Sequence, residues 1–217
     1  MKYFRLNIYM KLKYTSAIIM LILLLTFNLE AQKAKTRILR DPGIYLGGIW
    51  SKDSKMMFVP QAWFYAKDFY VETRYNYEEE NTFSVHLGKP FEIEELKTEV
   101  TPTVGLVFGD YKGYSVGLNT DFYSSHLSGS TENQYVFSSV NTNFFFSWLK
   151  VTTPITKNFG IGGSWQYTQE PFESTFDAGP MISFTKNAFE FQLFSYNPWK
   201  DTRYWMFGIS LDLASKE

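Results

Sequence analysis

The segment FYVETRYNYEEENTFSVHLG, Phe69–Gly88, alternates apolar and polar residues with a period of two on both sides of the turn sequence EEEN. Only an extended strand places alternate residues on opposite faces, so the segment predicts a β-hairpin with one apolar and one polar face. A soluble sheet buries its apolar face, whereas a membrane barrel turns that face to lipid and encloses the polar one. The hairpin alone fits both arrangements.

The same alternation recurs along the chain, and no amphipathic helix interrupts it. Short separators rich in turn-forming residues divide the strands, which predicts sequential antiparallel pairing. Leu127–Phe137 is weakly patterned, so ten strands is the alternative to twelve. The predicted strands are Gly43–Ser51, Met56–Tyr65, Phe69–Tyr77, Thr82–Lys89, Leu96–Phe108, Tyr114–Tyr123, Leu127–Phe137, Asn143–Thr153, Phe159–Gln169, Asp177–Phe184, Ala188–Tyr196 and Thr202–Leu213.

The N-terminus predicts export. Four basic residues precede the apolar run Ala17–Phe27, and a small residue, Ala31, offers a cleavage point. This is the layout of a secretory signal peptide, and the apolar run is shorter than the roughly 20 residues of a membrane-spanning helix. We therefore expect a signal peptide at residues 1–31, a polar linker at 32–41 and a barrel at 42–217.

The composition of the polar faces distinguishes a soluble sheet from a membrane barrel. They consist mostly of Gly, Ser, Asn and single charges, with little of the lysine that protects the edges of soluble sheets. Aromatic residues make up 19% of the chain and gather near strand ends, as in the interfacial belts of membrane proteins. The sequence therefore predicts an all-β protein, a closed up-and-down antiparallel transmembrane β-barrel of about twelve strands in the bacterial outer membrane.

Two features conflict with a regular barrel. Pro60, Pro102 and Pro180 fall inside predicted strands, and a residue without an N–H group requires a bulge or a strand end there. The polar face of Asn143–Thr153 carries Phe144, Phe146 and Trp148 beside Lys150. Either this strand faces the other way, or these aromatic side chains fill part of the lumen.

Composition excludes several functions. The chain has no cysteine, which removes disulfides, thiolate metal sites and cysteine nucleophiles. Without residues 1–31, 17 basic and 21 acidic side chains remain of the totals of 21 and 22, so nucleic acid is not an expected partner. No HxH, HExxH or calcium-loop motif is present, and we expect no metal site and no cofactor.

The residues predicted to line the lumen are mostly acidic. Together with the less securely placed Glu132, Lys150 and Asp177, they comprise seven acidic and three basic residues. This excess of acidic residues favours a narrow passive channel with a mildly acidic lumen. The competing interpretation is that these charges pair across the lumen and close it, leaving a structural barrel. The lumen candidates are Glu72, Arg74, His86, Lys97, Glu99, Asp121, Glu190 and Asp212.

Other functions remain as alternatives. A soluble, exported β-barrel that binds a ligand would share the alternation. A lipid-modifying outer-membrane enzyme would need a catalytic base, and the chain offers only His86, on the polar face, and His126, in a turn, so no catalytic residue is predicted. Glu78, Glu79 and Glu80 could gather a cation, but such a run is ordinarily a solvated hairpin tip. The expected partners are outer-membrane lipid and small solutes or cations, with a monomeric barrel.

RYNYEEENT at Arg74–Thr82 and TPTVGLVFGD at Thr101–Asp110, followed by short hairpins, resemble a group of uncharacterised small outer-membrane β-barrel proteins of Gram-negative bacteria. The resemblance covers most of the chain after residue 31. It implies a barrel fold and an outer-membrane location, and it brings no activity, cofactor or catalytic residue.

Overall fold

The computed structural model describes residues 42–52 and 54–213, which form thirteen β-strands and one 3-10 turn. The predicted signal peptide and linker lie outside these residues. The strands are β1 Gly43–Ser51, β2 Met57–Ala66, β3 Phe69–Tyr75, β4 Thr82–Gly88, β5 Phe91–Ile93, β6 Thr98–Gly109, β7 Gly113–Tyr123, β8 Ser128–Ser138, β9 Phe144–Pro154, β10 Phe159–Gln169, β11 Ser174–Lys186, β12 Phe189–Tyr196 and β13 Tyr204–Asp212.

Twelve of these strands close into an antiparallel barrel. Each pairs with its neighbour in sequence, β1 pairs with β13, and β4 pairs with β6 past the short β5. Closure leaves these twelve strands without an open edge, as the outer-membrane barrel fold requires. The prediction of an all-β, up-and-down, twelve-stranded barrel is confirmed, and Ser128–Ser138 is one of its strands. The described residues contain no helix long and apolar enough to cross a membrane.

The two faces of the wall are inverted relative to a soluble protein. Polar side chains point inward and are buried, including Ser84, Ser115, Asn119 and Ser164. The outward positions are large, apolar and exposed, as expected for contact with lipid. They include Leu46, Leu87, Val104, Leu106, Val116, Leu118, Ile161, Ile182, Phe191 and Leu193.

Each of the three prolines inside the predicted strands lies immediately beyond the last pair of one of its two ladders. Pro60 is next to Gln61, which forms the terminal β2–β3 pair with Arg74. Pro180 is likewise next to Met181, which forms the terminal β11–β12 pair with Phe194. Pro102 follows the final β4–β6 pair, and its carbonyl accepts a hydrogen bond from the Lys89 N–H. The missing N–H groups therefore cost no ladder hydrogen bond, which is the strand-end solution that the sequence required.

The connection after β4 contains a short strand that is not among the predicted strands. The short strand β5 continues the pairing along β6 from Phe91 with Val100 to Ile93 with Thr98. A 3-10 turn, Glu94–Leu96, follows it and ends at Lys97 in a left-handed conformation. The predicted strand beginning at Leu96 therefore begins at Thr98.

Candidate functional site in the barrel interior

The interior is described from two ends. We call the end where β1 begins and β13 ends the terminal end, and the opposite end, which holds the turn at residues 76–81, the distal end. Between them the lumen is crossed by paired charges, and the distal part is filled with aromatic and aliphatic side chains.

Arg74 is the centre of the charged network. Its guanidinium lies 2.8 Å from a Glu72 carboxylate oxygen and 3.5 Å from one of Glu132. It also donates a hydrogen bond of 3.2 Å to the Gln134 side-chain oxygen and covers the ring of Tyr77 at 4.3 Å. Because Glu132 and Gln134 come from β8 and Arg74 from β3, these contacts cross the lumen.

Glu132 extends the network toward the terminal end. It accepts a 2.7 Å hydrogen bond from the Tyr77 hydroxyl, and its other oxygen lies 3.8 Å from the Lys150 ammonium. That ammonium also lies 4.3 Å above the ring of Trp148. The polar face of the predicted strand, with Phe144, Phe146, Trp148 and Lys150, therefore does face inward, and aromatic residues fill part of the lumen.

Glu78 is an interior residue that the sequence interpretation missed. Its turn is held by Asn76 and Asn81, both with positive φ, through a 2.7 Å hydrogen bond from the Asn81 N–H to the Asn76 side chain. The Glu78 carboxylate accepts a 2.8 Å hydrogen bond from the Ser84 hydroxyl and lies 3.9 Å from the Nε2 atom of His86. Burial raises the pKa of the Glu78 carboxyl, and the positive charge of Arg74 partly opposes this.

The expectation of a wholly solvated EEE tip is thus wrong for Glu78, whereas Glu79 and Glu80 are exposed. The sequence signal that could have found it is the pair of asparagines that bracket the acidic run. Asparagine tolerates the left-handed conformation, which lets a short turn fold back over the barrel mouth.

Two apolar clusters also pack inside the barrel. The distal cluster comprises Val107, Tyr111, Val136 and Phe144. The second cluster surrounds Trp148, whose indole N–H donates a 2.9 Å hydrogen bond to the Ser164 hydroxyl. Its buried members are Tyr45, Val59, Trp148, Met181, Phe194, Tyr196 and Met206.

A cavity of about 540 Å³ lies at the terminal end. Its charged lining consists of five carboxylates and one ammonium group, from Glu72, Asp121, Glu132, Glu190, Asp212 and Lys150. Tyr45, Gln61 and Gln192 also line it, and each has a buried polar side-chain atom without a hydrogen-bond partner: the tyrosine hydroxyl, the Gln61 amide nitrogen and the Gln192 amide oxygen. The volume falls in the range of small-molecule sites.

The structure brings most predicted lumen residues inside. Glu72, Arg74, His86 and Glu99 are buried within the wall, and His86 shares a 3.0 Å hydrogen bond with Ser115. Asp121, Glu190 and Asp212 are half-buried around the terminal cavity.

Lys97 does not lie in a strand of the wall as predicted. It is exposed in the turn that precedes β6. Of the less securely placed residues, Glu132 and Lys150 join the central network, whereas Asp177 accepts a 3.2 Å hydrogen bond from Tyr204.

Neither histidine forms a catalytic arrangement. The Nε2 atom of His86 faces both Ser115 and Glu78, while its Nδ1 atom has no hydrogen-bond partner, so no acid orients the ring from behind. His126 is exposed in the β7–β8 turn and contacts the neighbouring Ser125. Within the described part of the chain, no three acidic or histidine side chains are placed to hold a metal ion.

Comparison with known proteins identifies the fold. No protein-family model matches the sequence, and no curated protein matches it. The solved KdgM porin superposes with a TM-score of 0.61 at 11% identity, covering 79% of this chain and 99% of that one, and a KdgM porin in complex with disordered oligogalacturonate gives the same values. The NanC porin superposes with a TM-score of 0.56 at 9% identity, covering 80% and 100%. The chain therefore has the fold of outer-membrane porins, as the resemblance of its motifs implied.

Proposed function

We propose that this protein is an integral outer-membrane barrel that acts as a narrow passive channel favouring cations. The observation that carries the proposal is the charge of the terminal cavity. Among the described residues its lining carries five carboxylates and one ammonium group, that of Lys150, and Arg74 pairs with only two of the five, Glu72 and Glu132. Carboxylates in a confined cavity with apolar walls act on an ion more strongly than they would in water, so cations are concentrated and anions are repelled.

The outer surface supports a membrane location over a soluble, exported ligand-binding barrel. Val104, Leu106 and Phe108 lie on β6, and about half of each side chain is exposed on the outside. Contiguous apolar surface of this kind is rare on soluble monomers. The proposed partners are accordingly outer-membrane lipid outside and small cations inside, with a monomeric barrel.

The charge of the cavity also separates this protein from the porin bound to oligogalacturonate, whose ligand is a polyanion. An acidic lining would repel such a ligand, so the common fold does not extend to a common solute.

The network of Arg74, Glu72 and Glu132 crosses the path through the lumen. Its side chains span the lumen, and the distal apolar cluster lies beyond it. These contacts favour a second candidate function, a structural barrel that conducts nothing. Barrels of eight strands are filled by side chains and those of sixteen or more leave a channel, so twelve strands permit either.

Planar-bilayer recording of the refolded protein across a KCl gradient separates the two functions. A conductance whose reversal potential shows cation preference supports the channel, and Asp121→Asn combined with Glu190→Gln should then reduce that preference. Glu80→Gln, which removes one exposed charge at the distal end, is the matched control. Anion preference contradicts the proposal, and no conductance favours the structural barrel.

We further propose that residues 1–31 are removed on export, leaving linker 32–41 and barrel 42–217. Mass spectrometry of the protein extracted from outer membranes should give an N-terminus near Gln32, and a retained Met1 would contradict this division. Heat-modifiable gel migration of the same sample tests barrel closure in the membrane.

A further inference from the structure

We propose that the terminal cavity binds an elongated organic cation of the polyamine class, with ammonium groups separated by methylene chains. This inference deepens the proposed function, because it names a ligand for the same acidic cavity. It concerns binding, however, and holds whether or not the barrel conducts.

The first argument is the placement of the carboxylates. Asp121 lies on β7 and Asp212 on β13, and in the closed order of twelve strands five strands lie between these two in either direction. Asp121 is paired in register with Glu99 on β6, and Glu190 on β12 neighbours β13. Carboxylates therefore stand on opposite walls of one cavity, which suits a ligand with a positive charge at each end.

This dispersal argues against a metal ion as the ligand. A divalent cation needs several oxygen ligands at 2.0–2.6 Å from one point. Among the described residues no three acidic or histidine side chains converge in that way. An extended molecule can reach separated carboxylates that a single ion cannot.

The second argument is that the cavity already holds an alkylammonium group, the side chain of Lys150. Its nitrogen lies 3.8 Å from a carboxylate oxygen of Glu132 and 4.3 Å above the Trp148 ring. A carboxylate and an aromatic face together stabilise an ammonium group, and the rings beside it accept methylene groups. Trp63, Phe122 and Phe189 line the same cavity and supply further apolar surface.

The third argument is a set of unpaired polar atoms in the cavity wall. Tyr45 and Gln61 are each 5% exposed, and neither the tyrosine hydroxyl nor the Gln61 amide nitrogen has a hydrogen-bond partner. The buried Gln192 amide oxygen is likewise unpaired. Buried polar groups are normally satisfied, and the tyrosine and glutamine oxygens can accept from an ammonium group once these side chains adjust to a ligand.

Isothermal titration calorimetry on the full chain, refolded in detergent, tests the proposal with spermidine, butylamine and Mg²⁺ at matched ionic strength. We expect saturable binding of spermidine and markedly weaker binding of butylamine, which has one charge and can engage only one wall. Asp121→Asn and Asp212→Asn should each weaken spermidine binding about tenfold, as expected for the loss of one charge-assisted contact. Glu80→Gln should bind spermidine as the unchanged protein does.

Equal affinity for spermidine, butylamine and Mg²⁺ would overturn the proposal, as would spermidine binding that both aspartate variants retain. Each variant is first checked for heat-modifiable migration, and Asp121→Glu, which keeps the charge, should retain binding. Conductance is measured separately: a barrel that conducts cations but binds no spermidine refutes this inference alone, and one that binds spermidine without conducting refutes only the channel.

Discussion

Arg74 lies two residues beyond Glu72 on strand β3, and their side chains form a 2.8 Å ion pair inside the barrel, where they are 3% and 2% exposed. Residues two apart on a strand share a face, so the pair forms within one strand and Arg74 remains able to reach Glu132 on β8. Strand β3 thus supplies both the guanidinium group and its first carboxylate partner. Glu132 on β8 supplies the second carboxylate and completes the network across the lumen.

Replacing Arg74 with alanine should strongly destabilise the barrel. Glu72 and Glu132 would lose a buried cation, and breaking a buried pair in this way costs about 3–5 kcal/mol. Reversible urea unfolding in lipid vesicles measures the change, with the exposed Arg203→Ala as the control for loss of one positive charge. Equal unfolding free energies for the two variants would show that the network does not hold the strands together.

Glu78→Gln should change how stability depends on pH. Burial raises the folded pKa of Glu78 above its ordinary value of 4.5, so the folded state binds a proton more tightly than the unfolded chain. That contribution to stability is fully present below the unfolded pKa and is lost as pH rises through the higher folded pKa. Unfolding measured from pH 4 upward should therefore show a decline in the unchanged protein that Glu78→Gln lacks. Glu79→Gln, in the exposed part of the same turn, should keep the decline, and identical profiles for all three proteins would rule out this role.

Two adjacent glycines of β10 should respond oppositely to alanine. A Cβ at Gly162 would collide with the Val151 carbonyl oxygen of the neighbouring strand, whereas one at Gly163 would meet nothing nearer than 3.7 Å. Gly162→Ala should cost about 1–3 kcal/mol through overpacking. Gly163→Ala should be neutral or add about 0.4–1 kcal/mol by restricting the unfolded chain. The pair is compared by unfolding in lipid, and a greater loss at Gly163 would contradict the register of β9 and β10.

Val104→Arg tests whether lipid or water surrounds the barrel. Val104 is 58% exposed near the middle of β6, and an arginine at the centre of the lipid face costs about 2–4 kcal/mol. Leu127→Arg, in the turn before β8, should cost about 0–1 kcal/mol because it lies near an interface. Refolding yield into vesicles and unfolding free energy measure both. In a soluble barrel both arginines would face water, and the difference would vanish.

The strands were predictable because their signal is local. The strand-like segments and the turn sequences between them located β1 and β10, of 9 and 11 residues, with the bounds that the structure has. The three residues of β5 are too few to show a period, and Lys97 was assigned to the wall because the turn before β6 could not be recognised. Strand existence therefore followed from the sequence, and strand ends followed less closely.

The pairing of the interior charges was not predictable in the same way. Arg74 and Glu132 are far apart in sequence and meet only because closure of the barrel brings the inward side chains of β3 and β8 together in the lumen. Alternation shows that both point inward but not at what height, so an open acidic channel and a paired network were equally consistent with it. Glu78 was missed for a related reason, because a turn residue has no parity that would indicate its direction.

The pairing of β1 with β13 also has a consequence for biogenesis. The hydrogen-bonding groups along β1 find their second partner only when Tyr204–Asp212, the last strand, has been delivered. Until then the growing sheet carries two unpaired edges and an outer surface that water does not solvate. The strands that are neighbours in sequence can therefore pair before β13 is available, whereas the pairing of β1 with β13, which closes the barrel, forms last.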